Sequence, residues 1–130
     1  PDCGRNYCAR VSGLMIDRFD MIIEVPEVSG SLLLRDTPGE LSVSVARRVA
    51  AAREFADTAG HRGADDPVAS MSGDARALLE SAIETQSLTA RGFHRIVRVG
   101  RTIADLERSA GIEGRHLAEA LAYRAMPLLA

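Results

Sequence analysis

Arginine is the residue type in this chain best suited to chemistry. The 130 residues include 16 basic side chains, and all 16 are arginines, because the sequence contains no lysine. A phosphate loop of the Walker A type needs a lysine, and so does a Schiff-base enzyme. The guanidinium group binds phosphate oxygens through a planar fork and stays charged. Any nucleotide binding here must therefore use arginine as the cation, or depend on residues outside these 130.

Four arginines recur at helical spacing, at positions 91, 95, 98 and 101, and we call them the arginine ridge. On a helical wheel Arg95 and Arg98 fall within about 40° of Arg91. One interpretation is a solvated helix face, in which Arg101 pairs with Asp105 one turn later. The other is anion recognition. A cation in the first helical turn opposes the helix dipole, so Arg91 needs another reason to be there, and a phosphate would be one.

Arg18 lies between two acids in the sequence Asp17-Arg18-Phe19-Asp20. A local salt bridge is one interpretation. The other is an arginine finger, which neutralises charge on a γ-phosphoryl group during its transfer.

Metal chemistry is not predicted. Cys3 and Cys8 are close together, but a zinc site would need two further ligands at suitable spacing. The three histidines, His61, His94 and His116, are scattered along the chain. We find no Ser/His/Asp arrangement and no pair of carboxylates suited to acid–base work, so no self-contained active site is predicted.

Composition indicates one largely helical domain with an aliphatic core. Hydrophobic residues make up 46% of the chain but aromatic residues only 4%, and this composition favours helices. The net charge of −2 provides no overall basic field for nucleic acid. There is no apolar stretch of membrane-spanning length and no signal peptide, so we expect a cytoplasmic protein. The first residue is Pro1, which suggests a fragment or a processed chain.

The elements that must position these arginines fall into three regions. Residues 1–26 contain an apolar, β-branched stretch at 21–25 that predicts a short buried strand ended by Pro26. A lone strand needs partners, so we expect this region to be the tail end of another domain. Residues 27–41 have the Pro and Gly content of a linker.

Residues 42–130 have helical periodicity and predict a small bundle. Ser42 is the expected cap of the first helix, which should end at Gly60. A polar loop follows, and the second helix has its apolar face at positions 75, 78, 79, 82 and 83. The third helix should be capped by Thr89 and run to about residue 109, with the core on the side opposite the ridge. The last should span about residues 113–126.

Two segments carry a resemblance to a known family. They are VSGLMIDRFDM at 11–21 and LTARGFHRIVRVGRTIADLE at 88–107. Together with residues 112–124, they resemble the C-terminal part of magnesium-chelatase-like AAA+ ATPases of the ComM/YifB type. The resemblance covers most of the chain and is weakest over residues 27–73.

The resemblance implies a mainly α fold, a four-helix lid preceded by a short strand remnant of the ATPase core. The Walker elements would lie outside these residues, so the fragment itself would not be an enzyme although its parent would be an ATPase. Arg18 falls at the arginine finger, which acts on ATP bound by the neighbouring subunit. Arg91 falls at the sensor-2 arginine, which contacts the γ-phosphate in its own subunit. Arg95 and Arg98 also match family positions and are further candidates for nucleotide binding.

The implied cofactors are ATP and Mg in the full-length parent, with none expected in the isolated fragment. The implied partners are the ATPase core of the same chain, neighbouring subunits of a homo-hexameric ring, and DNA, with no membrane. Two alternatives remain open at this point. The parent could be a true magnesium chelatase that inserts Mg into a porphyrin, or the chain could be a stand-alone module whose ridge binds an acidic partner or nucleic acid.

Overall fold

The computed structural model describes residues 18–30, 34, 39–61, 67–86 and 88–124, and within these residues lie four α-helices and one 3₁₀ turn. The helices are α1 (Ser42–Thr58), α2 (Gly73–Gln86), α3 (Ala90–Leu106) and α4 (Gly114–Ala122), and the 3₁₀ turn is Pro67–Ser70. The mainly α fold with four helices agrees with the prediction. Cys3 and Cys8 lie outside the described residues.

Helix α3 is the centre of the bundle. It packs against α1, α4 and the 3₁₀ turn, while α2 packs against α4. The shared core is aliphatic, as the composition predicts. Its most completely buried members, each less than 2% exposed, are Ala75, Ile96, Val97, Ala104, Ile112, Leu117 and Ala120.

Helix α1 is the least buried helix. It begins at Ser42, but its N-cap residue is Leu41 and no side chain caps it, so the prediction of Ser42 as the cap is wrong. Ala52 and Ala56 are buried, whereas Val45 and Val49 on the predicted core face remain 39% and 36% exposed. The reason is that the main packing partner of α1 among the described helices is α3, which covers only part of its apolar face. The helix ends before Gly60, as predicted, where φ is +72°.

The beginning of α3 is as predicted, but its end is not. The Thr89 hydroxyl accepts a hydrogen bond from the Gly92 N–H at 3.0 Å, which confirms Thr89 as the cap. The helix stops at Leu106 instead of near residue 109 because Arg108 adopts a left-handed conformation, with φ +56°. The Ser109 N–H then bonds to Ala104 O at 2.8 Å and the Arg108 N–H to Asp105 O at 3.1 Å. This is a Schellman termination with arginine where glycine is usual.

Helices α3 and α4 cross at close range. A β-carbon at Gly100 would stand 2.7 Å from Leu117 Cδ2, and Leu117 is fully buried. Glycine at this position costs about 1 kcal/mol of helix propensity relative to alanine. A larger residue at position 100 would clash with Leu117, which explains why glycine is present despite its lower helix propensity.

The strand predicted at residues 21–25 is not formed. Residues 21–29 have neither helix nor strand, and Ile23 and Val25, expected to be buried, are 65% and 84% exposed. The described residues contain no strand with which this segment could pair. Its backbone is instead attached to the bundle, where the Ile22 N–H donates to Tyr123 O at 2.9 Å. Whether residues 1–26 belong to another domain stays a prediction.

None of the described helices is both long enough and apolar enough to cross a membrane.

Candidate functional site

The four arginines of the ridge have different environments in the structure. Arg91 and Arg98 are exposed, and the Arg95 side chain is 20% exposed. Arg101 is buried at 7% exposure, so its assignment to the solvated ridge is wrong. The reason is visible on the wheel, where Arg101 is rotated by about 80° from Arg91 toward the core.

Arg91 lies in the first turn of α3, where the backbone carries a partial positive charge. That turn contains no acidic residue. Within the described part of the chain, no carboxylate forms an ion pair with Arg91. Its guanidinium is therefore exposed at a helix terminus that already favours anions.

A second arginine reaches the same helix end. Arg124 Nη2 lies 3.2 Å from where a β-carbon at Gly92 would stand, and Thr89 Oγ1 lies 3.3 Å from that point. Gly92 thus leaves room for the half-buried Arg124 side chain against the first turn of α3. Sequence reasoning placed Arg124 on the last helix and missed this approach, since no local spacing connects residue 124 to residue 92.

Arg95 connects α3 to the segment that contains Arg18. Its Nη1 donates to the backbone oxygen of Arg18 and lies 3.1 Å from Asp20 Oδ1. Asp20, expected as a local partner of Arg18, thus pairs with Arg95. The Arg18 side chain is exposed, and Asp17 lies outside the described residues.

Arg101 is the cation of a buried polar cluster. Its Nε donates to Asp105 Oδ1 at 3.0 Å, which confirms the expected pair one turn apart. Its Nη1 donates to Ala110 O at 3.0 Å, and its Nη2 donates to Ser109 O. His61 Nδ1 lies 2.7 Å from the same Asp105 oxygen. The cluster therefore joins the end of α3, the turn that follows it and the residue after Gly60.

Asp74 joins the first turn of α2 to the start of α4, where its Oδ2 accepts from the Gly114 N–H at 2.9 Å. A hydrogen bond from the Ser72 side chain, followed by this backbone bond, holds the pKa of the Asp74 carboxyl below its ordinary value. A carboxyl with a lowered folded-state pKa stabilises the fold above its unfolded value, about pH 4. That contribution is lost as the pH falls through the lower folded-state pKa.

We therefore expect Asp74→Asn to reduce the acid sensitivity of the fold. The variant should be less stable than wild type at pH 7, and the difference should shrink as the pH is lowered below about 4. Urea unfolding at a series of pH values measures this. A constant difference between the two proteins across that range would contradict the proposed role of the carboxylate.

Metal ligands do not cluster in the described part of the chain, where no group of three or more His, Cys, Asp or Glu side chains could hold an ion. His116 is fully buried, and both of its ring nitrogens contact groups that stabilise the fold. Its Nδ1 accepts the Glu113 N–H at 3.0 Å, and its Nε2 lies 3.0 Å from Glu107 Oε2.

The helical bundle and its arginine-bearing central helix are those of a magnesium-chelatase-type C-terminal domain. The family described as magnesium chelatase, subunit ChlI C-terminal, matches residues 39–124, and the chain belongs to this family.

Among individual proteins, the chain is similar to competence protein ComM of Haemophilus influenzae, with 41% identity over 128 residues, covering 92% of this chain and 25% of that protein. It is also similar to the uncharacterized protein YifB of Escherichia coli K12, with 34% identity over 137 residues, covering 99% of this chain and 27% of that protein. The chain therefore spans about a quarter of the length of these relatives. These findings confirm the predicted resemblance to the ComM/YifB type.

Proposed function

We propose that this chain is the helical lid of a magnesium-chelatase-like AAA+ ATPase, in which it couples ATP binding and hydrolysis to conformational change in a ring. Membership of the chelatase family supports this proposal. The observation that carries it is the exposed Arg91 guanidinium at the positive end of α3, which has no carboxylate partner among the described residues.

ATP fits the chemistry of this helix end. Its γ-phosphate is an anion, and Arg91 offers a planar set of donors beside the partial charge of the first turn. Arg91 would hold the γ-phosphate from the lid side, and Arg124 adds a second positive charge nearby. In the complete ATPase, Mg²⁺ would accompany the ATP.

The packing of α3 supports a lid that moves as one body. Ile96 and Val97, on the side of α3 away from Arg91, are at most 1% exposed in the shared core. A force applied at Arg91 therefore acts on the whole bundle, because packed cores shift as units and do not deform continuously. Binding the γ-phosphate would draw the lid onto the ATPase core, and its loss would release the lid.

Arg18 is proposed as the arginine finger, acting on the ATP of the next subunit. Its side chain is exposed, as such a role requires. Arg18→Ala should abolish most turnover in the complete ATPase, by about 10³-fold or more. Subunits defective in Walker A should be inactive as well, so a mixture of the two variants tests whether Arg18 acts across the interface.

We expect this mixture to recover turnover, because roughly a quarter of the interfaces in a 1:1 ring would combine an intact Walker A with an intact Arg18. Arg91→Ala is the matched control. It acts within its own subunit and should not recover activity when mixed with Walker A-defective subunits. Absence of recovery with Arg18→Ala would contradict action in trans.

DNA is the substrate we propose for the ring, because the resemblance to the ComM/YifB type implies it. The family description favours a second candidate, insertion of Mg into a porphyrin. Stimulation of ATP turnover by DNA would support the first. Stimulation by a porphyrin, with metal insertion and no response to DNA, would support the second.

A further inference from the structure

Residues 18–22 are attached to the lid bundle at two separate points. At one, Arg95 on α3 binds the backbone oxygen of Arg18 and the carboxylate of Asp20. At the other, the Ile22 N–H donates to Tyr123 O at 2.9 Å, at the end of α4. We call residues 18–22 the docked segment.

The attachment leaves the Arg18 side chain available. Arg95 binds the carbonyl oxygen of Arg18, not its side chain, and the Arg18 side chain is exposed. The Arg95 side chain, by contrast, is 20% exposed, while Asp20 is 52% exposed. An exposed ion pair alone contributes little. Nη1 of Arg95, however, contacts both the Arg18 carbonyl oxygen and the Asp20 carboxylate, so one charged side-chain atom holds the segment at two residues.

Arg91 and Arg95 lie one turn apart on the same helix, so their β-carbons are about 6 Å apart. We infer that Arg95 is a positioning residue that holds the docked segment on α3. A displacement of α3 at Arg91 is then transmitted to Arg18. One helix would then link the γ-phosphate of its own subunit to the finger presented to the next. This inference rests on the proposed function.

The attachment itself can be tested without nucleotide. We expect Arg95→Ala to speed hydrogen exchange of the Ile22 amide roughly tenfold, as for loss of a hydrogen bond to a charged group. Arg98→Ala is the matched control, because it makes the same change on an exposed position of the same helix. Asp20→Ala should reproduce the effect, and combining it with Arg95→Ala should add little. Exchange at Ile22 that is unchanged in Arg95→Ala would overturn the inference.

The effect of the attachment on ATP turnover is tested in the complete ATPase. We expect both Arg95→Ala and Asp20→Ala to lower kcat several-fold and to weaken the cooperativity of turnover with ATP concentration. Arg47→Ala, the same change at an exposed position of α1, should do neither. If Arg95→Ala lowers turnover and Asp20→Ala does not, Arg95 contacts the nucleotide directly and the positioning role is overturned. If exchange at Ile22 responds but Arg91→Ala leaves turnover unchanged, the attachment stands and the proposed ATPase role of the lid fails.

Discussion

In the complete ATPase, Arg91→Ala is expected to lower kcat for ATP by about 10²-fold, the usual cost of removing one preorganised donor from developing charge. The physical reason is the location of Arg91, exposed in the first turn of α3 with no acidic residue in that turn. Arg47→Ala is the matched control, since Arg47 is an exposed arginine on α1 and belongs to no proposed site. It should retain close to wild-type turnover.

The stability of the Arg91→Ala variant separates loss of function from loss of fold. Alanine has the highest helix propensity, and removing a cation from a helix N-terminus relieves about 0.3–1 kcal/mol of unfavourable dipole interaction. We therefore expect a melting temperature equal to or above that of wild type. Wild-type turnover in the Arg91→Ala variant would contradict the proposal that Arg91 senses the γ-phosphate. Arg91→Lys should recover only part of the activity, because it keeps the charge and loses the fork.

Arg101→Met should have the largest effect on stability, a loss of about 3–5 kcal/mol in the free energy of unfolding. Methionine fills a similar volume but leaves the buried Asp105 without its guanidinium partner. It also removes the donors to the backbone oxygens of Ser109 and Ala110. Domains of this size are stable by only about 5–15 kcal/mol, so the lid would lie close to unfolding.

Urea unfolding measures this effect, with Arg98→Met as the control on the exposed side of α3. The control should change stability by less than about 0.5 kcal/mol, as surface substitutions usually do. A loss below about 1 kcal/mol in Arg101→Met would show that the cluster does not hold the end of α3. Combining Arg101→Met with Asp105→Leu should cost less than the sum of the two changes, because no unpaired charge then remains.

Much of the fold is predictable because amphipathic periodicity is a local property. The faces of α3 and α4 follow from apolar residues three and four positions apart, and so does that of α2, except that Ile83 on its predicted face is 38% exposed. Thr89 follows from the preference of hydroxyl side chains for N-cap positions. The pair of Arg101 and Asp105 is likewise visible from spacing. Its burial is not, because the turn that covers it depends on Arg108 adopting a conformation that arginine rarely takes.

The strand predicted at residues 21–25 is a feature that local sequence preferences predict wrongly. Apolar β-branched residues favour a strand, but strand hydrogen bonds need a partner, and among the described residues none is present. Helix α1 is intermediate. Its periodicity identifies a helix correctly, but it cannot tell how much of the apolar face a neighbour covers, and Val45 and Val49 remain partly exposed.

The sequence by itself determined the helical class of this protein, the cap and the core face of α3, and the exclusive use of arginine where nucleotide chemistry would need a cation. Only the tertiary structure decided what each arginine contacts and how exposed it is. Arg95 and Asp20 are 75 positions apart, and Arg124 reaches a helix that begins 34 positions earlier. Helical spacing specifies which side chains share a face, whereas the partner of a side chain depends on how distant elements pack. That packing separated one apparent ridge into an exposed Arg91, an Arg95 that holds another segment, and a buried Arg101.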